Sequence, residues 1–291
     1  MVLLIRNLFE NALKTNSSLK FAVLTGCLRV AKESIFTGLN NFKVYSITDK
    51  SFDETFGFTD SEVKELLHYY GQDEFYETVK EWYDGYRFGD ADVYCPWDVI
   101  NFCDDHRVDS NLKPKNYWAN TSGNSVISHF IESVNEPHKL TKMELEQLVN
   151  GGIVQKEINP ELTYKELYSS IDNLWSTLFM TGYLTQRGEP NGDRYNLVIP
   201  NREIRNIITN HILKMFKEMG WETAVAARND YENPNDCLIP YCDTYYSVPF
   251  ERNPMKLGNL KAYKELKRII DEGGYDIIHC HTPVGAMLTR L

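Results

Sequence analysis

No C-x-x-C pair occurs in the 291-residue chain, although it carries 6 cysteines: Cys27, Cys95, Cys103, Cys237, Cys242 and Cys280. Scattered thiols without a secretory leader favour reduced cysteines in a cytoplasmic protein and argue against a disulfide scaffold. No apolar run reaches the roughly 18 residues a bilayer-spanning helix needs. Basic charge is also in short supply. The 31 Lys and Arg stand against 41 Asp and Glu, a formal net charge of −10. That balance argues against a nucleic-acid partner held by phosphate neutralisation over a broad surface. No Gly-Lys dipeptide occurs, so the G-x-x-x-x-G-K-[ST] phosphate loop is absent.

What is present is ordinary globular material, 42% hydrophobic and 25% charged, with 18 Tyr and 14 Phe. At the start, Leu4, Leu8, Ala12 and Ile5, Phe9, Leu13 fall at helical spacing and read as a core helix cut into mid-domain. The run 19–26 (LKFAVLTG) reads as a buried strand ending in a sharp turn. Turn chemistry at Thr37-Gly38-Leu39-Asn40-Asn41 leads to a second strand-like run, FKVYSI. Helices follow to about residue 180, with capping boxes at Thr59–Glu62, Thr141–Glu144 and Thr163–Glu166 and a stop at Gly151-Gly152. A helix over 174–182, a hairpin around Glu189-Pro190-Asn191-Gly192 and a helix over 203–219 make a winged-helix-like order. The acidic balance favours a packing role for that unit over a DNA contact. From about 220 the chain reads strand, strand, helix, strand, helix, the rhythm of a parallel α/β sheet. So few strands cover their own faces poorly, and the chain stops inside the last helix.

The runs FAVLTGCLRVAKESIFTGLNNFKVYSI, FGFTDSEVKELL, EWYDGYRFG, VYCPWDVINF and YWANTSGNSVI, in that order, resemble an AAA-ATPase-like family of bacterial proteins. The resemblance covers residues 1 to about 218. It implies a P-loop-type core with ATP and Mg²⁺ as cofactors, a helical lid and a winged-helix-like unit. Members of the family open with a phosphate loop and a strand ending in paired acids. Neither motif is found, which places Met1 downstream of both. The expected division is a remnant of the ATPase core over 1–50, a lid over 51–173 and a winged unit over 174–218. By the resemblance Thr25 stands near a γ-phosphate, and Arg29 can reach a phosphate oxygen with its guanidinium. The competing reading has Thr25-Gly26 shaping a turn and Arg29 pairing with a lid carboxylate. Trp82, Tyr83, Tyr86, Tyr117 and Trp118 read as core and interface aromatics. Asp84 reads as a turn or cap residue rather than a catalytic acid.

From about 211 the resemblance changes. MFKEMGWETAVAARNDYENPNDCLIPYCDTYYSVPFERNP and YDIIHCHTPVGAMLTRL look like the N-terminal half of family-4 glycosyltransferases, retaining enzymes built from two Rossmann-like domains. The resemblance implies a partial Rossmann-like segment over 219–291 and a nucleotide sugar as partner. The family's first strand and its nucleotide-sugar-binding second domain are missing. In the family the second His of D-hh-H-x-H, here His281, lies beside the acceptor and the transferred sugar. A strand's C-terminal end is where open α/β sheets bind ligands. His279 shares the strand face of His281 and reads as a satisfied buried histidine, while Cys280 points to the other face. A metal held by His279 and His281 with Cys237 or Cys242 has no recognised zinc spacing, so no metal is assigned.

The seam between the two resemblances falls inside one amphipathic helix, PNREIRNIITNHILKMFKE, with no linker. Such a seam points to recombination at matched sequence or to a misassembled gene. The fold class expected is α/β and helix-rich. Function is then expected to be residual binding, with neither ATPase nor transferase activity complete. Two alternatives stand beside it: a glycosyltransferase-related protein completed by another chain, and a nucleotide-dependent module contacting protein or DNA. An extensive hydrophobic interface between the two parts would count against the seam.

Overall fold

A computed structural model of the chain describes residues 2–14, 16–26, 43–118, 125–134, 139–163, 166–228, 242–251, 253, 255–280 and 283–290. The helices are α1 (Val2–Leu13), α2 (Asp60–Tyr70), α3 (Tyr76–Tyr83), α4 (Pro96–Val108), α5 (Ser125–Val134), α6 (Lys139–Val149), α7 (Ile171–Met180), α8 (Arg202–Glu218), α9 (Gly258–Gly273) and α10 (Pro283–Thr289). Local chemistry sets several of their ends. Thr59 caps α2, with its hydroxyl accepting from Glu62 N–H and the Glu62 carboxylate accepting from Thr59 N–H at 2.8 Å. Gly71, at φ 66, closes the same helix in the left-handed conformation. Ser170 and Asn201 cap α7 and α8 by accepting from Asn173 N–H at 3.1 Å and Ile204 N–H at 3.0 Å.

The strands form three small sheets. β1 (Tyr86–Phe88) and β2 (Ala91–Val93) make an antiparallel hairpin. β3 (Val154–Glu157), β5 (Arg194–Val198) and β4 (Thr185–Gln186) make an antiparallel sheet in the order β3-β5-β4. β6 (Ala224–Ala227) and β7 (Thr244–Ser247) pair in parallel.

Among the described residues three apolar cores hold these elements, α1 excepted. The first gathers α5, α6, α7 and the start of α8 around Trp175 and Phe130, whose ring centroids lie 4.8 Å apart. The second packs α2, α3 and α4 around Tyr83, Tyr94 and Phe102. The third belongs to the C-terminal segment and joins Val248 to Ala262, Leu266 and Ile269 of α9 and to Val284 and Leu288 of α10. No buried residue of the third core belongs to the other two. Helix α8 buries Ile204, Ile207 and Ile208 in the first core. Its last turn meets the C-terminal segment through a Phe216–Trp221 stack at 5.3 Å and a Lys217–Asp243 ion pair at 2.7 Å.

The helices α2 to α7, the Gly151-Gly152 stop, the hairpin over 189–192, and the buried Trp82, Tyr83 and Tyr86 agree with the sequence reading, but β1, β2 and β3 interrupt the expected all-helical stretch to about residue 180. Asp84 is the C-cap of α3, and its carboxylate accepts from Gly85 N–H at 2.7 Å.

Several expectations are corrected. Residues 19–26 form no strand, and Phe21, Val23 and Leu24 are exposed. A buried parallel strand needs a ladder at its edges and cover on both faces, and nothing described supplies either. The same holds for Lys43–Ser46 of the second expected strand. Helix α1 forms, but Leu4 and Leu8 are exposed rather than in a core. Thr141 lies inside α6 rather than at its cap. Thr163 and Glu166 do bond, Thr163 N–H reaching the carboxylate at 2.9 Å, but a turn follows and the helix begins only at Ile171. The turn at 37–41 lies outside the described residues.

Candidate functional site

Parallel pairing brings the C-terminal ends of β6 and β7 to one edge, in the register Ala224↔Thr244 through Ala227↔Ser247. Open α/β sheets bind ligands at that edge, because the loops leaving the strands gather there. Arg228 is the first residue after β6. After β7 the chain runs through buried Val248, whose N–H extends the ladder to Ala227 O at 2.9 Å, to Glu251. Asn259, in the first turn of α9, is 4% exposed and holds this loop. Its Oδ1 accepts from Glu251 N–H at 3.0 Å, and its Nδ2 donates to Asn253 O at 2.9 Å. The Glu251 carboxylate is thereby placed 3.6 Å from Arg228 Nη1 and 3.3 Å from Lys256 Nζ. One carboxylate between two cations presents both acceptors and charged donors, the pairing that hydroxyl-rich and anionic ligands use.

The opposite edge is structural. Asp243 accepts from Lys217 Nζ at 2.7 Å and from Thr223 N–H at 2.9 Å. Lys217 first, then Thr223, lowers its carboxyl to about 2.

Residues 275–280 of the expected third strand are tethered beside the pair but not laddered to it. Tyr275 Oη meets Tyr246 Oη at 3.0 Å, and Cys280 Sγ meets Thr289 Oγ1 at 2.9 Å. Burial, then the Tyr246 contact, pushes the Tyr275 phenol up to about 12. Ile277 and Ile278 are exposed, so burial rewards no ladder there. His279 is exposed, which corrects its reading as a buried histidine. His281, Cys237 and Arg29 lie outside the described residues, and Thr25 is exposed in a segment without regular structure. Among the described residues no group of three or more His, Cys, Asp or Glu side chains is placed to hold a metal. The sequence reading missed Arg228, Glu251, Lys256 and Asn259. A legible signal for the first was its position as the charged residue that ends the run WETAVAAR.

These features define a parallel α/β unit with a charged edge at the C-terminal ends of its strands. Residues 199–291 match the family model "Glycosyl transferase 4-like". A protein named "Putative glycosyltransferase EpsD" from Bacillus subtilis (strain 168) is 47% identical over 78 residues, 27% of this chain and 19% of that protein. A second, named "Uncharacterized protein in vnfD 5'region" from Azotobacter chroococcum mcd 1, is 24% identical over 217 residues, 72% of this chain and 37% of that protein. The chain thus spans well under half the length of either relative. The second match must extend well upstream of residue 199, because residues 199–291 are less than half of the chain. None of these names mentions an ATPase, and the P-loop-type core expected over 1–50 is not shown. No solved structure matches the chain. No helix among the described residues is long and apolar enough to cross a membrane.

Proposed function

We propose that residues 219–291 are the acceptor side of a sugar-transfer site, acting in retaining transfer from a nucleotide sugar. A nucleotide-sugar-binding domain completes the site. The observation that carries this reading is the in-register parallel pair β6–β7, followed by α9 and lying wholly inside the segment matched to the glycosyl transferase 4-like family. Transfer needs donor and acceptor held together, so the segment works only when the donor side is brought to it. His281 is assigned to the sugar, and Arg228 and Glu251 to the polar rim of the β6–β7 edge. The free thiols of Cys95, Cys103 and Cys280 fit a reducing, cytoplasmic setting. The test is turnover of a labelled nucleotide-sugar panel by the purified chain, alone and with a separately expressed family-4 donor domain. Product is expected only from the mixture, and its loss in His281→Ala is required. No product from any mixture removes the reading.

For residues 51–218, the lid and winged-unit division remains a proposal. It is supported by the order α7, β4, β5, α8 and by a relative whose match runs through this region. An ATP-analogue thermal shift tests it, and a flat response to analogue with Mg²⁺ counts against any role for Thr25 and Arg29.

A further inference from the structure

The N-termini of α4 and α8 converge on two carboxyl groups that solvent does not reach. Asp98 is the third residue of α4 and Glu203 the second of α8, and both residues are 0% exposed. Glu203 Oε1 accepts the backbone N–H of Trp118 at 2.7 Å. Glu203 Oε2 and both Asp98 oxygens make no hydrogen bond of ordinary geometry among the described residues, the nearby Cys95 thiol being only a weak donor toward Asp98. The two carboxyl groups lie within hydrogen-bonding reach of each other, yet two ionised carboxylates offer only acceptors. An uncompensated buried charge is strongly unfavourable, and two facing each other are worse.

A single proton resolves the arrangement. Protonated at Oε2, Glu203 donates to Asp98, and one negative charge is left between two helix N-termini whose dipoles favour it. A metal ion fits less well. The pair supplies two carboxylates only, and both the Trp118 N–H and the helix ends turn positive partial charge toward it. A catalytic dyad is equally out of place, because groups at 0% exposure give a substrate no path.

We propose that Asp98 and Glu203 share one buried proton, and that this acid–carboxylate bond locks the start of α4 to the start of α8 until rising pH removes it. The groups facing the pair are neutral. Cys95 at the head of α4, Tyr86 of β1, Tyr83 of α3 and Tyr117 all have their ionisation pushed up by burial first. No Lys, Arg or His among the described residues acts on either carboxyl. The neighbouring Arg202 is engaged elsewhere, over the Trp82 ring at 4.7 Å and 3.2 Å from Glu81. Burial, then the Asp98 charge, holds the Glu203 carboxyl far above its ordinary range. A folded-state value raised above the unfolded one contributes stability that is whole below the ordinary carboxyl value. That stability then declines as pH rises toward the folded value.

The test is urea unfolding of the full chain from about pH 5 to about pH 9, for wild type and Glu203→Gln, whose amide donates to Asp98 without titrating. One linked proton makes the wild-type unfolding constant rise up to about tenfold per pH unit more steeply than that of E203Q. An isotope-edited infrared spectrum should show a protonated glutamic acid at neutral pH that E203Q lacks. Parallel pH profiles, or no protonated carboxyl in the wild type, overturn the proposal. If E203Q does not fold, Asp98→Asn, which donates to Glu203, must flatten the profile in the same way. If neither variant folds, the wild-type infrared spectrum decides alone.

Discussion

Replacing Gly85 by alanine probes how the first two cores are joined. Gly85 sits at φ +107 between the Asp84 cap and β1, against the loop that feeds α8. A Cβ there would overlap the Pro200 carbonyl oxygen and lie 2.9 Å from its carbonyl carbon. The left-handed backbone alone costs an alanine about 1–2 kcal/mol. Displacing a backbone carbonyl adds a further overpacking cost of about 1–3 kcal/mol. The expected total is about 4 kcal/mol, a large share of the 5–15 kcal/mol of typical domain stability. Gly71→Ala is the matched control. It has φ +66 with nothing within 4 Å of the added Cβ, so only the backbone cost remains. Urea titration of tryptophan fluorescence reads both, since Trp82 and Trp175 are buried in separate cores. At equal m-values, G85A should lose about 2 kcal/mol more than G71A. Equal losses would refute the claim that the Pro200 approach fixes the entry to α8.

Three further outcomes follow from single contacts. Trp175→Ala, at 0% exposure, should cost about 3–5 kcal/mol and lower the urea midpoint without changing m. Asp60 accepts from Lys64 Nζ at 2.7 Å, Tyr76 Oη at 2.6 Å and Tyr94 Oη at 2.9 Å, with Lys64 the largest cause of its lowered carboxyl value. Its contribution is present above the ordinary Asp range and lost as pH falls below it, so Asp60→Asn should flatten the acid limb of a midpoint-versus-pH curve. Asp243→Asn should do likewise for the limb between about pH 4 and about pH 2, and should speed proteolysis around Trp221, measured by limited digestion at neutral pH.

Sequence patterns were most informative where a local signal met a local structure. The Thr59–Glu62 box became the α2 cap, Asn191-Gly192 became the hairpin, and the alternation of strand and helix past 220 became a parallel pair with α9 beside it. Legibility failed where the outcome depends on distant partners. LKFAVLTG and YDIIHC have the composition of buried strands, but composition cannot supply the neighbouring ladder that makes one. Thr163–Glu166 makes one bond of a capping box, Thr163 N–H to the Glu166 carboxylate, without a helix to cap, and its hydroxyl donates to that carboxylate instead of accepting from Glu166 N–H. The Asp98–Glu203 pair joins residues far apart in the chain, and nothing in CPWDV or NREIR announces that both carboxyls are buried. At the candidate site, the sequence reading anticipated the parallel pair and looked to histidines for the ligand. Arg228 and Glu251 are what the described edge displays.

The central claim is that residues 219–291 serve the acceptor side of sugar transfer, and one assay addresses it most directly. Labelled sugar release from a nucleotide-sugar panel would be followed with the purified chain, with a family-4 donor domain, and with both. The account predicts transfer only from the pair, abolished by His281→Ala and weakened by Glu251→Gln. Transfer at equal rate with the donor domain alone, or none from any combination, would contradict it.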